Sequence, residues 1–429
     1  MSSMKPNTEC RVVITGRGMV SPLGVGKRTS WLRLVAGESG VRALPTTLSE
    51  GQESRVAGLV QDRSAETPDG FDPGRFMDAK DIKKADRFIH LALAAADEAL
   101  KEARWPPIEE SSRAMTATVV ASGVGGFPAI ADAVRLAEQR GVKRLSPFTV
   151  PSFLINLAAG HISIRYGFRG PVGAPATACA ASVQAIGDAA RLIRSGEADV
   201  VLCGGSESTM DPVTLGAFSS AKALSTSYND TPATASRPFD QARDGFVLGE
   251  GAAMLVLESL DHALKRGATP IAEVLGYGTS ADAFHITASP PDGSGMVLSM
   301  SRALAQANIL SADIDYISAH ATSTPVGDAA ELRAIHSVFH SGARAAVSSV
   351  KGALGHLLGA AGATATIFAT YAMQEGLVPL TCNLSMPDAG AAGLDLVYGT
   401  SREMKVNHAL VNGFGFGGVN ASLVLRAMS

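Results

Sequence analysis

The 429-residue sequence has few cysteines and few charged residues, and each shortage excludes a class of protein. Cys10, Cys179, Cys203 and Cys382 are too few and too scattered for a disulfide framework or a CxxC zinc site, which indicates a reducing compartment. Charged residues make up 18% of the chain, below the roughly 25% of ordinary soluble proteins. This composition points to a large interior or a buried subunit interface.

The sequence also lacks a charge bias and a targeting segment. Its formal charge of −3 argues against a chain that coats nucleic acid or an anionic membrane. The N-terminus has no apolar signal core and no Arg-rich amphipathic stretch. We therefore expect a bacterial cytoplasmic protein, or an organelle-matrix protein whose transit peptide has been removed. Residues 352–373 are uncharged if His356 is neutral, but their Gly, Ala and Thr content favours a buried core helix over a membrane span.

Short β-rich runs alternate with helical stretches, which predicts an α/β layered fold with buried strands. The scheme is repeated: one strand-like run leads into a helix over 177–196 with Cys179 at its start, and another leads into a helix with His356 near its start. Each helix ends on a glycine, Gly196 and Gly376. We expect two related halves that meet at a shared cleft. The strand-like runs lie at 11–16, 117–122, 199–205, 271–278, 314–322, 345–352 and 422–427, and 85–103 is helical.

Cys179 is the first candidate for chemistry. A thiol in the first turn of a helix lies at the positive end of the helix dipole, which favours the nucleophilic thiolate, and Thr177 is placed to cap that helix. The neighbouring alanines at 178, 180 and 181 leave room for a substrate. A buried structural cysteine is the usual interpretation of a cysteine seen alone, and it fits Cys203 within an apolar strand.

Two histidines and a glycine-rich stretch are further candidates. His320 and His356 follow runs that predict strands, where clefts open in α/β folds, although a lone histidine in an apolar run is usually a packed one. The glycines of 411–420 allow backbone N–H groups to approach a substrate oxyanion. Near the start, Ser21 stands where a GxGxxG dinucleotide motif needs its last glycine, so we do not expect nucleotide binding.

Five motifs in order resemble those of the β-ketoacyl-acyl-carrier-protein synthases, the condensing enzymes of dissociated fatty acid synthesis. They are TACAAS around Cys179, SRPFDQARDGFVLGEGAA (236–253), AHATSTPVGD (319–328), KGALGHLLGAAGA (351–363) and NGFGFGGVNAS (412–422). The chain is most similar to the elongating synthase II type, including mitochondrial members. The resemblance implies a thiolase-like fold with two duplicated α/β halves in a five-layered αβαβα sandwich, usually a homodimer. Residues 1–270 then carry the nucleophile and residues 271–429 carry both histidines.

The resemblance also implies a mechanism. Cys179 accepts the acyl chain, and His320 and His356 stabilise the enolate that forms as malonyl-carrier protein loses carbon dioxide. The backbone N–H groups of Cys179 and Phe416 form an oxyanion hole, and Phe416 also gates acyl entry. Lys351 helps to keep the histidines neutral.

Two acidic residues near Lys351 match family positions. For Asp328 and Glu331, a structural ion-pair network and a direct chemical role remain equally open.

The resemblance extends to substrate and partner. Thr322 and Thr324 match positions that hydrogen-bond the pantetheine arm, and Val124 and Thr149 match positions that shape the acyl pocket. No metal or cofactor is implied, because phosphopantetheine arrives on the acyl carrier protein. The acidic carrier protein is expected to bind a basic patch in a salt-sensitive way. That patch comprises Lys80, Lys83, Lys84, Lys143, Arg144 and Lys222.

Three other functions remain open alternatives. A specialised polyketide or lipid ketosynthase of the same fold is hard to separate from a housekeeping synthase. A non-catalytic chain-length partner subunit is disfavoured because Cys179, His320 and His356 are all present. A thiolase is disfavoured because thiolases use a second cysteine near the C-terminus, where this chain offers phenylalanine.

Overall fold

The computed structural model describes residues 10–339 and 344–428. Its strands are β1 Val12–Ser21, β2 Gly24–Val25, β3 Val41–Ala43, β4 Val56–Gly58, β5 Thr116–Ala121, β6 Val172–Gly173, β7 Val200–Glu207, β8 Gly251–Ser259, β9 Ala272–Ala281, β10 Tyr316–Ser318, β11 Ala346–Ser348, β12 Leu377–Val378, β13 Asp395–Leu396, β14 Arg402–Glu403, β15 His408–Gly415 and β16 Val419–Ala427. Its α-helices are α1 Lys27–Val35, α2 Thr46–Ser49, α3 Ala79–Ile82, α4 Arg87–Ala103, α5 Glu110–Ala114, α6 Phe127–Arg140, α7 Thr149–Phe153, α8 Leu157–Tyr166, α9 Ala181–Arg194, α10 Pro212–Ser220, α11 Leu260–Lys265, α12 Ser294–Ala307, α13 Pro325–Val338, α14 Lys351–Leu354 and α15 Ala361–Glu375.

The main sheet is symmetric about the contact between β1 and β9. Its strand order is β13-β11-β10-β15-β16-β9-β1-β8-β7-β5-β6, with β2 paired to β1. On one side β1, β8 and β7 are antiparallel, and β7, β5 and β6 are parallel. On the other side β9, β16 and β15 are antiparallel, and β15, β10 and β11 are parallel. The halves built on β1–β8 and on β9–β16, called here the N-terminal and C-terminal halves, therefore share one topology. The predicted boundary after residue 270 falls between α11 and β9.

Helices complete five layers. On the outside, α4 packs on β1, β8 and β7, and α12 packs on β9 and β16. Between the halves, α9 and α15 contact strands of both. This is the αβαβα sandwich implied by the resemblance. The segment predicted as a core helix supplies α15, which is buried from Ala361 to Met373. Within the described ranges, no helix has the length and apolar character needed to cross a membrane.

Paired glycines allow the outer helices to approach the sheet. A Cβ atom at Gly18 in β1 would overlap the carbonyl oxygen of Ala95 in α4, and one at Gly278 in β9 would overlap that of Ser299 in α12. The same relation therefore holds in both halves. It also gives a physical reason for the GxG sequence near the N-terminus, which lies within β1 against α4.

The two central helices begin in the same way. Each follows a 3₁₀ turn, Ala178–Ala180 before α9 and Leu358–Ala360 before α15. The first residue of each turn has a positive φ, 47° at Ala178 and 43° at Leu358. The predicted helix over 177–196 is therefore correct only from Ala181. Thr177 does not cap it, because its hydroxyl donates to the side chain of Gln184 at 2.8 Å.

Candidate active site

A cavity of about 500 Å³ lies where the two halves meet. Its lining includes Cys179 from the N-terminal half and His320, His356 and Phe416 from the C-terminal half. Cys179 lies in the turn before α9, and His320 follows β10. His356 lies between α14 and α15, ahead of the helix that it was expected to open. The cleft predicted between two related halves is therefore present.

The three candidate side chains converge in this cavity. The Cys179 sulfur and one ring nitrogen from each of His320 and His356 lie within 4.8 Å of one another. The two imidazole rings meet edge to face, with centroids 5.4 Å apart and an interplanar angle of 83°. A substrate carbonyl beside the sulfur is therefore within reach of both rings.

The surroundings of Cys179 favour the neutral thiol. Burial, together with the smaller effect of the Glu207 charge, raises the pKa of Cys179 to about 12. Lys351 and the N–H groups of Phe416 and Cys179 lower the pKa without cancelling the effect of burial. The predicted thiolate is therefore wrong for the resting site: desolvation outweighs the helix dipole, and α9 begins two residues after the sulfur.

Both active-site histidines are neutral for a similar reason. Burial lowers their pKa values well below the usual range, and the nearby Lys351 charge lowers them further. His356 is fixed through its backbone, which donates to Val247 at 2.7 Å and accepts from Gly249 at 2.9 Å. Among the described residues, neither ring nitrogen of His356 has a hydrogen-bond partner. Its imidazole therefore retains its hydrogen-bonding capacity for a substrate.

Lys351 and two carboxylates lie beside the histidines. Burial lowers the pKa of Lys351 to about 8, and the neighbouring carboxylates of Glu331 and Asp328 oppose that effect. Glu331 accepts hydrogen bonds from the backbone N–H groups of His320 at 2.8 Å and Ala321 at 2.6 Å. Asp328 accepts from the backbone of Thr322 at 2.9 Å. Both carboxylates therefore fix the loop that carries His320, which supports the structural alternative for their role.

Phe416 lies in the tight turn between β15 and β16 and is 41% exposed. Its backbone N–H and that of Cys179 both lie close enough to the sulfur to lower the pKa of the thiol, so both are near the place where the oxygen of an acyl group on that sulfur would lie. The left-handed conformations of Gly417 and Gly418, with φ of 84° and 70°, make this turn possible. Phe416 lines the cavity, and its role as a gate stays a prediction.

The predicted substrate positions divide into two groups. Thr322, Thr324 and Val124 line the cavity, and the hydroxyls of the two threonines lie 3.1 Å apart. Thr149 does not line the cavity of its own chain. It begins α7, and neither α6 nor α7 contains a buried residue, so this segment lies outside the core.

The predicted docking residues differ in their exposure and in their ion pairs. Lys80, Lys83, Lys143 and Arg144 are exposed. The ammonium of Lys84 pairs with Asp81 at 2.8 Å and lies 4.7 Å from the ring centroid of Phe148, which brings α3 beside the segment that follows Arg144. Lys222 pairs with Glu53 at 3.2 Å and is the one member of the patch in the described lining of the cavity.

The sequence did not identify several residues of the cavity. Phe246 packs edge to face on His356 at 5.6 Å, and Phe414 packs similarly on His320 at 5.8 Å. Phe218 and Leu358 belong to the apolar cluster that also contacts Cys179. Phe246 and Phe414 lie within family motifs, so their position was a usable signal. Nothing in the sequence distinguishes Phe218 from any other apolar helix residue.

The Cys179, His320 and His356 set also has the ligand types of a zinc site. The positive charge of buried Lys351 disfavours a divalent cation there. The absence of a metal from the reaction stays a prediction.

Comparisons with known proteins agree with this geometry. Residues 9–263 match the family model described as β-ketoacyl synthase, N-terminal domain, and residues 271–385 match the corresponding C-terminal domain. The mitochondrial 3-oxoacyl-[acyl-carrier-protein] synthase of Arabidopsis thaliana is 47% identical over 97% of this chain and 93% of its own length. The 3-oxoacyl-[acyl-carrier-protein] synthase 2 of Rhizobium meliloti is 48% identical over 97% and 98% of the two chains.

Solved structures show the same similarity. A β-ketoacyl synthase from Burkholderia phymatum STM815 superimposes with a TM-score of 0.90 at 33% identity, covering 98% of this chain and all of that one. A type II polyketide ketosynthase in complex with its acyl-carrier protein gives a TM-score of 0.87 at 30% identity, covering 99% of this chain and all of that one.

Proposed function

The chain belongs to the β-ketoacyl synthase family, and on that premise we propose that it condenses an acyl group with malonyl-acyl carrier protein in fatty acid elongation. Carbon dioxide is lost, and the product is a 3-oxoacyl-acyl carrier protein two carbons longer than the starting acyl chain. The supporting observation is the convergence of Cys179, His320 and His356 in one cavity. Relatives named 3-oxoacyl-[acyl-carrier-protein] synthase at 47–48% identity support the reaction class.

In the first half-reaction the Cys179 sulfur attacks the acyl thioester. The new bond joins sulfur to the acyl carbon, and the bond from that carbon to the phosphopantetheine sulfur breaks. The proton of the Cys179 thiol ends on the departing carrier thiol, so no net charge is created. The backbone N–H groups of Cys179 and Phe416 stabilise the oxyanion of the tetrahedral intermediate.

In the second half-reaction malonyl-carrier protein replaces the first carrier. His320 and His356 donate hydrogen bonds to its thioester carbonyl and stabilise the enolate formed as carbon dioxide leaves. The carbanion attacks the acyl carbon on Cys179, the bond to sulfur breaks, and a proton from solvent restores the thiol. The neutral state of both imidazoles suits this step, because an imidazolium would protonate the carbanion.

We also propose acyl carrier protein as the macromolecular partner, bound at the basic patch defined above, and phosphopantetheine as a group that enters on the carrier. The exposed positions of Lys80, Lys83, Lys143 and Arg144 support such a surface. A similar ketosynthase solved in complex with its acyl-carrier protein supports the partner class. The compartment is either the bacterial cytoplasm or an organelle matrix, since the relatives include bacterial and mitochondrial proteins.

The functional unit that we propose is a homodimer. The segment that contains α6 and α7 exposes Val134, Phe148, Val150 and Leu154 by 40–54%, an apolar surface that residues 10–339 and 344–428 leave partly open to solvent. Thr149 lies in this segment, so a partner subunit is the means by which it would reach an acyl pocket. Sedimentation of the full chain is expected to give twice the monomer mass, and a monomer would refute this part of the proposal.

The reaction is tested by mass spectrometry of carrier-bound products. The protein is incubated with malonyl-carrier protein and acyl-carrier proteins of graded length. One extension per acyl chain, giving 3-oxoacyl-carrier protein, is the expected result. Successive extensions without reduction of the keto group would favour the polyketide alternative, to which the similar polyketide ketosynthase structure points at lower identity. No extension of any acyl chain would refute the proposed function.

A further inference from the structure

Glu207 is a fully buried carboxylate at the end of β7 that takes no part in the chemistry described so far. Its two oxygens accept five hydrogen bonds and donate none. The donors are the hydroxyl of Ser122 at 2.7 Å and the backbone N–H groups of Gly123 at 2.6 Å, Val124 at 3.2 Å, Gly125 at 3.2 Å and Gly359 at 2.9 Å.

These donors belong to two functional segments in different halves. Residues 122–125, called here the acyl-pocket loop, follow β5 and carry Val124 into the cavity. Gly359 lies in the 358–360 turn, three residues after His356, and its neighbour Leu358 also lines the cavity. One carboxylate therefore connects the loop beside the acyl site with the turn beside a histidine.

The space around Glu207 is shaped for a carboxylate. A Cβ atom at Gly123 would lie 2.9 Å from Glu207 Oε2, and one at Gly359 would lie 2.8 Å from the same oxygen. Both are closer than real Cβ atoms approach an oxygen, so the carboxylate and a side chain cannot share this space. Glu207 therefore accounts for glycine at position 123. At position 359 the backbone nitrogen of Gly123, 2.3 Å from such a Cβ, excludes a side chain as well.

The internal duplication indicates what this carboxylate replaces. Gly359 is the middle residue of the 3₁₀ turn before α15, the position that Cys179 holds before α9. Likewise Glu207 ends β7, and its counterpart Gly415 ends β15. Gly415 has no side chain, so its position supplies no carboxylate to the nearby Cys179 N–H, whose nitrogen would lie 3.1 Å from a Cβ at Gly415. The equivalent N–H of Gly359 is instead occupied by Glu207.

We infer that Glu207 is a positioning residue. Its carboxylate fills the site in the C-terminal half that is equivalent to the oxyanion site at Cys179. It thereby holds the acyl-pocket loop and the turn after His356 at a fixed spacing. This inference rests on the proposed condensation. Without the carboxylate, four of the five donors lose this acceptor with no other in the described structure, since only the Gly125 N–H also donates to the Ser122 hydroxyl, at 3.1 Å. The spacing of Val124, Cys179 and His356 is then no longer fixed. Both chain-length selection and decarboxylation are then affected by one residue.

The first variant is Glu207→Gln, which preserves the size of the side chain. Its amide presents two N–H donors to a site that contains only donors, so at least one contact becomes repulsive. We expect kcat for condensation to fall by about 10- to 100-fold. The preferred acyl length, measured as kcat/KM across graded acyl-carrier proteins, should broaden because Val124 loses its anchor.

The second variant, Glu207→Ala, is assayed with and without sodium formate. Formate supplies a free carboxylate of the right size, so activity should return with saturable dependence on its concentration, whereas sodium chloride at equal ionic strength should have no effect. Glu258→Gln serves as a matched control. Glu258 is also fully buried, but it pairs with His262 and Arg266 on the far end of β8. This control should lower the thermal unfolding temperature without changing acyl selectivity.

Each outcome bears on one claim. Glu207→Gln with unchanged kcat and unchanged acyl selectivity would overturn the inference while leaving the condensation intact. A folded Glu207→Ala that loses activity and does not respond to formate would also overturn it. A wild-type protein that condenses no acyl chain would instead refute the proposed function on which the inference rests.

Discussion

The two halves share strand order and helix geometry but carry different chemistry. In the N-terminal half the turn before the central helix presents a sulfur, with the backbone N–H groups of Cys179 and Phe416 close to it. In the C-terminal half the equivalent turn has Gly359, whose N–H is occupied by a carboxylate, and the reactive groups are imidazoles nearby. The duplicated framework therefore places the two turns equivalently. A few local residues decide whether a turn carries a nucleophile or has its N–H group bound by a carboxylate.

The loops after the equivalent strands β5 and β10 extend the comparison. Each loop is held by a buried carboxylate that accepts backbone hydrogen bonds, Glu207 in the N-terminal half and Glu331 in the C-terminal half. The carboxylates come from different elements, the end of β7 and helix α13. Anchoring of the loop is thus common to both halves, although the anchoring residues are not equivalent.

The largest expected effect comes from removing the sulfur alone. Cys179→Gln should lower condensation by at least about a thousandfold, because no covalent acyl-enzyme can form. Malonyl-carrier protein should still lose carbon dioxide, since both imidazoles remain and the glutamine side chain occupies the place of an acyl thioester. Release of labelled carbon dioxide measures this. Elongation by the variant would show that the sulfur is not the nucleophile.

The reciprocal change removes an imidazole from the C-terminal half. His356→Ala should lower decarboxylation of malonyl-carrier protein by about 100- to 1,000-fold, because one donor to the enolate is lost. Acyl transfer to Cys179 should continue, which intact-protein mass spectrometry detects. His336→Ala is the control, because His336 contacts Gly390 away from the cavity. Normal decarboxylation in His356→Ala would refute the proposal that His356 acts on malonyl-carrier protein while Cys179 carries the acyl group.

A smaller effect is expected from the anchor of the His320 loop. In Glu331→Gln the side-chain amide faces the backbone N–H groups of His320 and Ala321, so His320 moves from its place. Condensation should fall by about tenfold, with decarboxylation affected more than acyl transfer. Equal losses in both half-reactions would indicate a general structural role and weaken the comparison with Glu207.

Removal of the Lys351 charge should shift the pH profile of malonyl decarboxylation. Lys351 lowers the pKa values of both histidines, so Lys351→Met should raise those pKa values. The acid limb of decarboxylation, where the imidazoles become protonated, should then move to higher pH. Stopped assays from pH 4.5 to 8 measure the shift. An unchanged or lowered acid limb would contradict the electrostatic role.

The smallest effect is expected at the docking surface of the N-terminal half. Charge reversal of Lys83, Lys84 and Arg144 together should raise KM for acyl-carrier protein about threefold to tenfold and reduce its salt dependence. The chemistry in the cavity should not change, so kcat is the internal control. An unchanged KM would show that the carrier protein binds elsewhere.

The sequence predicted the fold class and the three side chains that converge in the cavity, for identifiable reasons. Alternating runs predicted β1, β5, β7 and β9, and short motifs marked Cys179, His320 and His356. It missed β8, whose continuous apolar run GAAMLVLES has no period that separates a strand from a helix. It assigned no strand to 411–420, whereas the glycines at 413 and 415 lie in β15 and allow that strand to approach the Cys179 turn.

Other properties depend on neighbours that are distant in sequence. The raised pKa of Cys179 arises from burial, which a helix-dipole argument does not include. Glu207 receives its donors from residues 82 to 152 positions away, so no local pattern reveals it. Thr149 matches a family position, but its own chain does not bring it to the cavity.

The central claim is that the sulfur of one half carries the acyl group while the imidazoles of the other half act on malonate. Intact mass measurement followed by peptide mapping, after incubation with acyl-carrier protein alone, tests it most directly. One acyl group on Cys179, discharged when malonyl-carrier protein is added, is the predicted result. An unmodified Cys179, or an acyl group on Cys203 or Cys382 instead, would contradict the account.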